Sequence, residues 1–127
     1  MDKLDERIEF LCQSGFVNEV GKHNLEELVH ILTLECGVSR TNKHVVMLIT
    51  HVAMALKRTT TGEQVNPISE SALKEVRESS VADEAIRVQT MLLNAMENNL
   101  SEDEKNYVLV HVGSLLMALQ TDERREV

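Results

Sequence analysis

The most informative segment of the chain is NKHVVMLITHVAMALKRTTTG, residues 42–62. Its apolar positions extend almost all the way around a helix, and two basic residues shortly precede Gly62. Basic side chains in a last turn, followed by a glycine, are typical of a helix C-terminus. The segment therefore predicts a helix that starts at Thr41 or Asn42 and ends before Gly62. Because it is apolar on nearly every side, we expect it in the centre of a helical bundle, with neighbours on several sides.

Helix-forming residues dominate the rest of the chain, and short stretches rich in Gly, Asn, Ser or Pro interrupt them. Apolar residues recur at helical spacing between these breaks. Five further helices are predicted: one up to a cap at Gly15, one from a cap at Asn24 to near Gly37, a short one over about residues 69–78, one from Ser80 to a turn at Asn98-Asn99-Leu100, and a last one to about Gln120.

The last helix begins with a capping-box pattern, Ser101-Glu102-Asp103-Glu104. In such a box the serine accepts from the backbone of residue 104, and the glutamate side chain reaches back to the cap. The chain has no strand-like alternation and no internal repeat. We therefore predict an all-α, compact bundle of five to six helices that forms a single domain over residues 1–127, with a frayed tail at 121–127.

Composition and charge restrict the classes of function. The 127 residues carry a formal charge of −8 and only three aromatic side chains, one Tyr and two Phe. Because negative charge opposes binding to phosphate backbones and stacking partners are scarce, we expect no direct nucleic-acid binding. The longest nearly apolar runs, 45–56 and 107–119, are shorter than the roughly 20 residues that span a bilayer, so no membrane segment is expected. The charged N-terminus and two isolated cysteines indicate a reduced, cytoplasmic protein.

Two of the five histidines, His51 and His111, interrupt the most hydrophobic predicted helices. A buried polar group without a partner costs roughly 1–3 kcal/mol, so each imidazole needs a reason to be there. A core histidine bonded to a neighbouring carbonyl explains either one alone, whereas two together favour a functional site. His44, His51 and Arg58 are seven residues apart and share a helix face. Arg58 either complements the helix C-terminus or flanks a site where negative charge appears.

Metal binding and conventional catalysis find little support in the spacing of reactive residues. A helix presents two ligands to one ion at i, i+3 or i, i+4, and no two histidines have that spacing. Glu27-x-x-His30 is a single motif, whereas a di-metal bundle needs two. Nucleophile elbows, Walker loops and dinucleotide-binding glycine motifs are absent from the sequence. We therefore expect no metal, no cofactor and no enzymatic activity.

Three motifs follow one another along the chain: residues 48–58, the link Gly62-Glu63 with Val65-Asn66-Pro67, and residues 104–111. Together they resemble the motifs of the phosphotransferase-system regulation domain. Residues 48–58, around His51, resemble that family's first histidine motif, in which a histidine precedes an alanine and a basic residue on one helix. Glu104-x-x-Tyr107-x-x-x-His111 is similar to the second motif, with an acid and an aromatic before the other histidine. Between them, Gly62-Glu63 and Val65-Asn66-Pro67 match the usual link into a short helix. The resemblance covers about residues 20–120.

The resemblance implies an all-α, often dimeric domain whose histidines accept phosphoryl groups from the phosphocarrier HPr or from sugar-specific enzyme II components. Such a domain reports sugar availability in transcriptional regulation. For this chain it implies a stand-alone homodimer with these roles: His51 and His111 as phosphoacceptors, Arg58 as the phosphate partner, and Asn66, Glu104 and Tyr107 as supporting polar groups. Two alternatives stay open: a non-phosphorylated interaction module of the same fold, and a metal-binding helical bundle.

Overall fold

The computed structural model of the protein describes residues 3–96 and 100–125, with side chains up to residue 120. These residues form six helices and no strand, which confirms the predicted all-α bundle. The helices are α1 (Lys3–Gln13), α2 (Glu19–Cys36), α3 (Lys43–Thr61), α4 (Glu70–Arg77), α5 (Ala82–Ala95) and α6 (Glu102–Arg125). None of the helices in the described ranges is long and apolar enough to cross a bilayer.

Helices α2, α5 and α6 have the most neighbours in the bundle, and α5 packs against α2, α4 and α6. Helix α6 packs against α3, α4 and α5, and α2 packs against α1, α3 and α5. The predicted central position of α3 is only partly right, because α3 packs mainly between α2 and α6. Its remaining face exposes Met47 and Met54, which are 53% and 43% solvent-accessible. In the sequence these two methionines belong to the apolar pattern of α3, but in the structure they lie on the surface.

The limits of α3 agree with the prediction, and those of α2 do not. Asn42 caps α3 by accepting from the backbone N–H of His44 at 2.8 Å, and Gly62 ends it in a left-handed conformation with φ 79°. Helix α2 begins after Asn18, whose side chain accepts from Gly21 N at 2.8 Å, instead of at Asn24. Gly21 lies inside the first turn of α2. A Cβ there would be 2.9 Å from Val17 Cβ, so glycine permits a close approach.

Helix α6 differs from the prediction at both ends. Ser101 Oγ accepts from Glu104 N at 3.2 Å, as a capping box requires. The Glu104 side chain does not complete the box, because it turns to α3 instead. At the other end the helix continues to Arg125, beyond the predicted end near Gln120. Asn98 and Asn99 of the predicted turn lie outside the described residues.

The other predicted limits are close to the observed ones. Ser69 caps α4 by accepting from Ala72 N at 3.2 Å, and the helix ends at Arg77. Gly15 follows α1 with φ 84°, as a C-terminal capping glycine does. Helix α5 begins at Ala82, slightly later than the predicted Ser80.

Candidate functional site

Helices α3 and α6 bring five predicted site residues together, and we call them the histidine cluster. His51 and Arg58 come from α3, and Glu104, Tyr107 and His111 come from α6. His51 lies against His111, while Arg58, two turns later, lies against Glu104, which precedes His111. The two helices are therefore antiparallel here. On each helix the members are three, four or seven residues apart, so they share one face.

A buried ion pair closes one end of the histidine cluster. Arg58 Nε donates to Glu104 Oε1 at 2.6 Å, and the exposed fractions of the two side chains are 19% and 5%. The hydrogen bond to Glu104 raises the pKa of Arg58 above its ordinary value. A shielded carboxylate needs such a partner, because an isolated charge is costly to bury. The pair therefore fixes α3 and α6 relative to each other at this point.

His51 occupies the middle of the cluster. Its ring stacks on Tyr107, with centroids 5.2 Å apart and an interplanar angle of 29°, and lies 4.8 Å from the His111 ring. His51 Nε2 is 3.3 Å from Glu104 Oε2, within ion-pair distance. The geometry between these two atoms is not that of a hydrogen bond. Both atoms are buried, and neither has a hydrogen-bonding partner in the described residues. Burial lowers the pKa of His51, and the nearby Arg58 charge lowers it further, against the opposing effect of Glu104.

His111 has a different environment on the other side of His51. Burial lowers its pKa, and the neighbouring His51 and His44 act in the same direction. Within the described ranges His111 forms no hydrogen bond, and neither ring nitrogen is among the buried atoms that lack a partner. Neither nitrogen is therefore fully buried. His44 is thus a sixth residue near the site, and its seven-residue spacing from His51 is the sequence signal that points to it.

Asn66 lies apart from the cluster. It is exposed in the segment between α3 and α4, and in the described part of the chain it has no hydrogen bond to any cluster member. The residues just before it come closer: Glu63, Gln64 and Val65 line a pocket of about 380 Å³ together with Arg58 and Glu104. The link between the helices therefore borders the ion pair through these residues, and not through Asn66.

The histidine cluster has the chemistry of a nucleophilic site. A lowered pKa keeps both imidazoles neutral near pH 7, and a neutral imidazole has a lone pair that can attack phosphorus. A guanidinium close by suits the oxygens of a phosphoryl group. Sequence reasoning missed that Arg58 already has an anionic partner, Glu104. Across the described residues, no three His, Cys, Asp or Glu side chains come together in an arrangement that could hold a metal ion.

Comparison with known proteins gives two matches. The family model described as PRD domain matches residues 26–115, from within α2 to within α6, a range that contains all five residues of the histidine cluster. A relative in Escherichia coli (strain K12), the uncharacterized protein YhfY, is 26% identical over 115 residues, which cover 91% of this chain and 96% of YhfY. No solved structure matches. Helix α1 lies before the range that the family model matches.

Proposed function

Because the chain belongs to the PRD domain family, which is regulatory and not catalytic, we propose that it is a phosphoacceptor module of the sugar phosphotransferase system. HPr or enzyme II components phosphorylate it on histidine, and the modification serves sugar-responsive control of transcription. His51 and His111 are the acceptors in this proposal. Tyr107 supports His51 by stacking, while Arg58 and Glu104 form the charged end of the site.

The observation that carries this proposal is the contact between two shielded imidazoles beside a buried ion pair. The rings of His51 and His111 are 4.8 Å apart, and burial lowers the pKa of both. Each of two adjacent histidines disfavours protonation of the other. Such a pair is a poor choice for a core, where leucine packs without needing polar partners. The same two neutral rings are good phosphoryl acceptors. The cost in stability is therefore consistent with a role in phosphoryl transfer.

Arg58 connects phosphorylation to the packing of α3 against α6. A phosphoryl group brings close to two negative charges, and a guanidinium binds such a group with strong, charge-assisted hydrogen bonds. In the unmodified protein the Arg58 guanidinium is hydrogen-bonded to the Glu104 carboxylate. A phosphoryl group on the histidine cluster adds negative charge close to the Glu104 carboxylate and to this pair. The proposed signal is a rearrangement of this pair, and with it of the contact between α3 and α6.

The proposal includes a cytoplasmic homodimer and no direct contact with nucleic acid or membrane. In a symmetric dimer each phosphoryl charge occurs twice. Repulsion between the two copies opens the interface, whereas an arginine of one subunit that binds the phosphoryl group of the other tightens it. The formal charge of −8 supports the absence of nucleic-acid contact, because phosphate backbones attract basic surfaces.

Intact-mass measurement of phosphoryl addition tests the proposal. The purified protein is incubated with phosphoenolpyruvate, enzyme I and HPr, with and without enzyme II B components. We expect one or two acid-labile phosphoryl groups on the wild type and none on a His51→Ala, His111→Ala variant. A matched control, His23→Ala with His30→Ala, removes two exposed histidines and should leave addition unchanged. Full addition to the cluster variant, or no addition to the wild type with any donor, would overturn the proposal.

A second candidate is an interaction module of the same fold that is not phosphorylated. The exposed Met47 and Met54 favour it, because they lie one turn from His51 on either side along α3 and present flexible apolar groups to solvent. In that case His51 and His111 should be replaceable without loss of partner binding, while Met47→Ser with Met54→Ser should weaken it. The phosphoacceptor proposal predicts that His51 and His111 are required for the response to sugar.

A further inference from the structure

We propose that Glu104 determines which atom of His51 accepts a phosphoryl group: Nε2 keeps its proton, and Nδ1 is the acceptor. This inference rests on the proposed function and makes it more specific. Glu104 is a positioning residue here, since it acts on the imidazole and not on phosphorus. The argument uses the burial of one ring nitrogen, the carboxylate that faces it, and the groups that hold this carboxylate in place.

The two ring nitrogens of His51 have different surroundings. Nε2 is buried and lies 3.3 Å from Glu104 Oε2. Nδ1 has no hydrogen bond in the described residues and, unlike Nε2, is not fully buried. A donor protein approaching from outside can reach only an atom that is open. Burial alone therefore favours Nδ1 over Nε2.

The carboxylate of Glu104 also determines where the neutral ring carries its proton. An ionised carboxylate has only lone pairs to offer, so an imidazole nitrogen that faces it is favourable as N–H and repulsive as a lone pair. The group that one ring nitrogen faces therefore determines which of the two nitrogens carries the proton. Glu104 thus favours the Nε2–H form of His51. The lone pair of that form is on Nδ1.

Two contacts hold Glu104 in this orientation. Arg58 Nε binds Glu104 Oε1 at 2.6 Å, which leaves Oε2 as the oxygen that faces His51. Ser101 Oγ accepts from the Glu104 backbone N–H at 3.2 Å and fixes the start of α6. The Glu104 side chain is 5% exposed, so most of its surface is shielded from water. The carboxylate is therefore in place before any donor arrives.

The transfer step balances with this assignment. The Nδ1 lone pair of neutral His51 attacks phosphorus, and the P–N bond of a phosphohistidine donor breaks. The donor histidine carries a proton on its other ring nitrogen. Its ring takes the electrons of the broken bond and leaves as a neutral imidazole. On His51 the Nε2–H is retained, so the newly phosphorylated ring carries a positive charge. Glu104 Oε2 faces that charge as it develops, and a fixed opposite charge in a shielded site stabilises it.

His111 provides an internal contrast. No acidic group contributes to its pKa shift, and neither of its ring nitrogens is fully buried. Its surroundings therefore do not select one nitrogen. The choice of acceptor atom is a property of His51 alone, and the experiments isolate it with a His111→Ala variant.

The first test measures the tautomer of His51 by nitrogen-15 NMR on unphosphorylated protein above the histidine pKa. We expect the Nε2–H form for His51, and a detectable Nδ1–H population in Glu104→Gln, since a glutamine amide can donate to Nε2. The matched control is Glu102→Gln, which removes the same charge from an 86% exposed side chain in the same turn. A wild-type ring in the Nδ1–H form would overturn the inference, whether or not the Glu104 variant folds.

The second test identifies the phosphohistidine isomer by phosphorus-31 NMR on the His111→Ala protein after phosphorylation. We expect Nδ1-phosphohistidine at His51, and about tenfold slower formation in Glu104→Gln than in Glu102→Gln, the size of effect typical when a carboxylate behind a histidine is removed. The Nε2 isomer at His51 would overturn the acceptor assignment and leave the proposed function standing. No phosphoryl group on wild type or variant, with any donor, would overturn both.

Discussion

Helix α6 has two interfaces of opposite character. Toward α3 it presents Glu104, Tyr107 and His111, a polar set that includes a buried carboxylate. Toward α4 it presents Gly113, where an added Cβ would lie 2.8 Å from both γ-methyl carbons of Val76. The apolar interface is close because Gly113 has no side chain to hold the two helices apart. The polar interface depends on one specific ion pair between the helices.

The two interfaces of α6 are expected to differ in how much they contribute to the free energy of unfolding. Apolar packing gains free energy from every atom it removes from water. A buried ion pair only recovers what was lost by desolvating its charges, and apolar residues of similar size often do as well or better. The α3–α6 contact therefore retains polar groups at a cost, and the α4–α6 contact does not. Four changes test this contrast, from the largest expected effect to the smallest.

The largest effect is expected from Arg58→Met. This change keeps much of the side-chain volume but leaves the Glu104 carboxylate, 5% exposed, without its cation. Removing one partner of a buried pair costs about 3 kcal/mol or more. Urea unfolding should show the loss, whereas Arg77→Met, at an exposed position on α4, should stay within about 0.5 kcal/mol of wild type. A combined Arg58→Met, Glu104→Met variant should recover part of the loss, and no recovery would contradict the contrast.

Gly113→Ala tests the close apolar interface. The new methyl group would meet the Val76 side chain, so α4 and α6 must separate or Val76 must change rotamer. Overpacking of this kind costs about 1–3 kcal/mol, and the free energy of unfolding measures it. In a Val76→Ala background the same glycine substitution should cost much less. An equal cost in both backgrounds would show that the close approach to Val76 is not the cause.

Ser101→Ala should have a smaller effect. The serine hydroxyl accepts from a backbone N–H at the start of α6, and losing such a cap costs about 1 kcal/mol. Because the Glu104 side chain binds Arg58 and not the cap, Glu104→Gln should leave the Ser101 contact intact. The two changes should then be nearly additive in the melting temperature. Strong non-additivity would indicate that the capping box is complete after all.

The smallest expected effect is the change in the free energy of unfolding with pH that His51 and His111 cause. Burial lowers the pKa of His51 and His111 below the ordinary value of 6.5, so the unfolded chain binds protons more readily than the folded one. Their contribution to stability is therefore present above the unfolded pKa and is lost as the pH falls through the folded values.

Urea midpoints between about pH 7 and pH 5 measure this loss. A His51→Gln, His111→Gln variant should lose stability less steeply as the pH falls. His30→Gln, at an exposed position, should keep the wild-type slope. If the double variant keeps the wild-type slope as well, the two histidines are not the buried groups that resist protonation.

Short-range patterns account for the predictions that proved correct. The caps at Asn42, Ser69 and Gly62 each depend on a hydrogen bond or a backbone angle within a few residues. The predicted start of α2 was wrong because Asn24, followed by acidic residues, has the pattern of a cap, whereas the observed cap is Asn18. The exposed side of α3 was also unexpected, because apolar spacing does not show how many neighbours a helix has.

Of the proposed site, the sequence predicted the members but not their pairing. His51, His111, Arg58, Glu104 and Tyr107 do come together, while Asn66 stays exposed. The sequence suggested two other partners: the cap for Glu104 and a phosphoryl group for Arg58. Their contact joins residues from different helices, and no local spacing encodes such a contact.

By itself, the sequence determined that the chain is a bundle of helices with two histidines in apolar surroundings, because helical periodicity, caps and breaks are local properties of the chain. Only the tertiary structure decided that His51 faces Glu104, that Arg58 neutralises this carboxylate, and that neither ring nitrogen of His111 is fully buried. The physical reason is that burial and ion pairing depend on the antiparallel register of α3 and α6. That register results from the packing of the whole core and not from either helix alone.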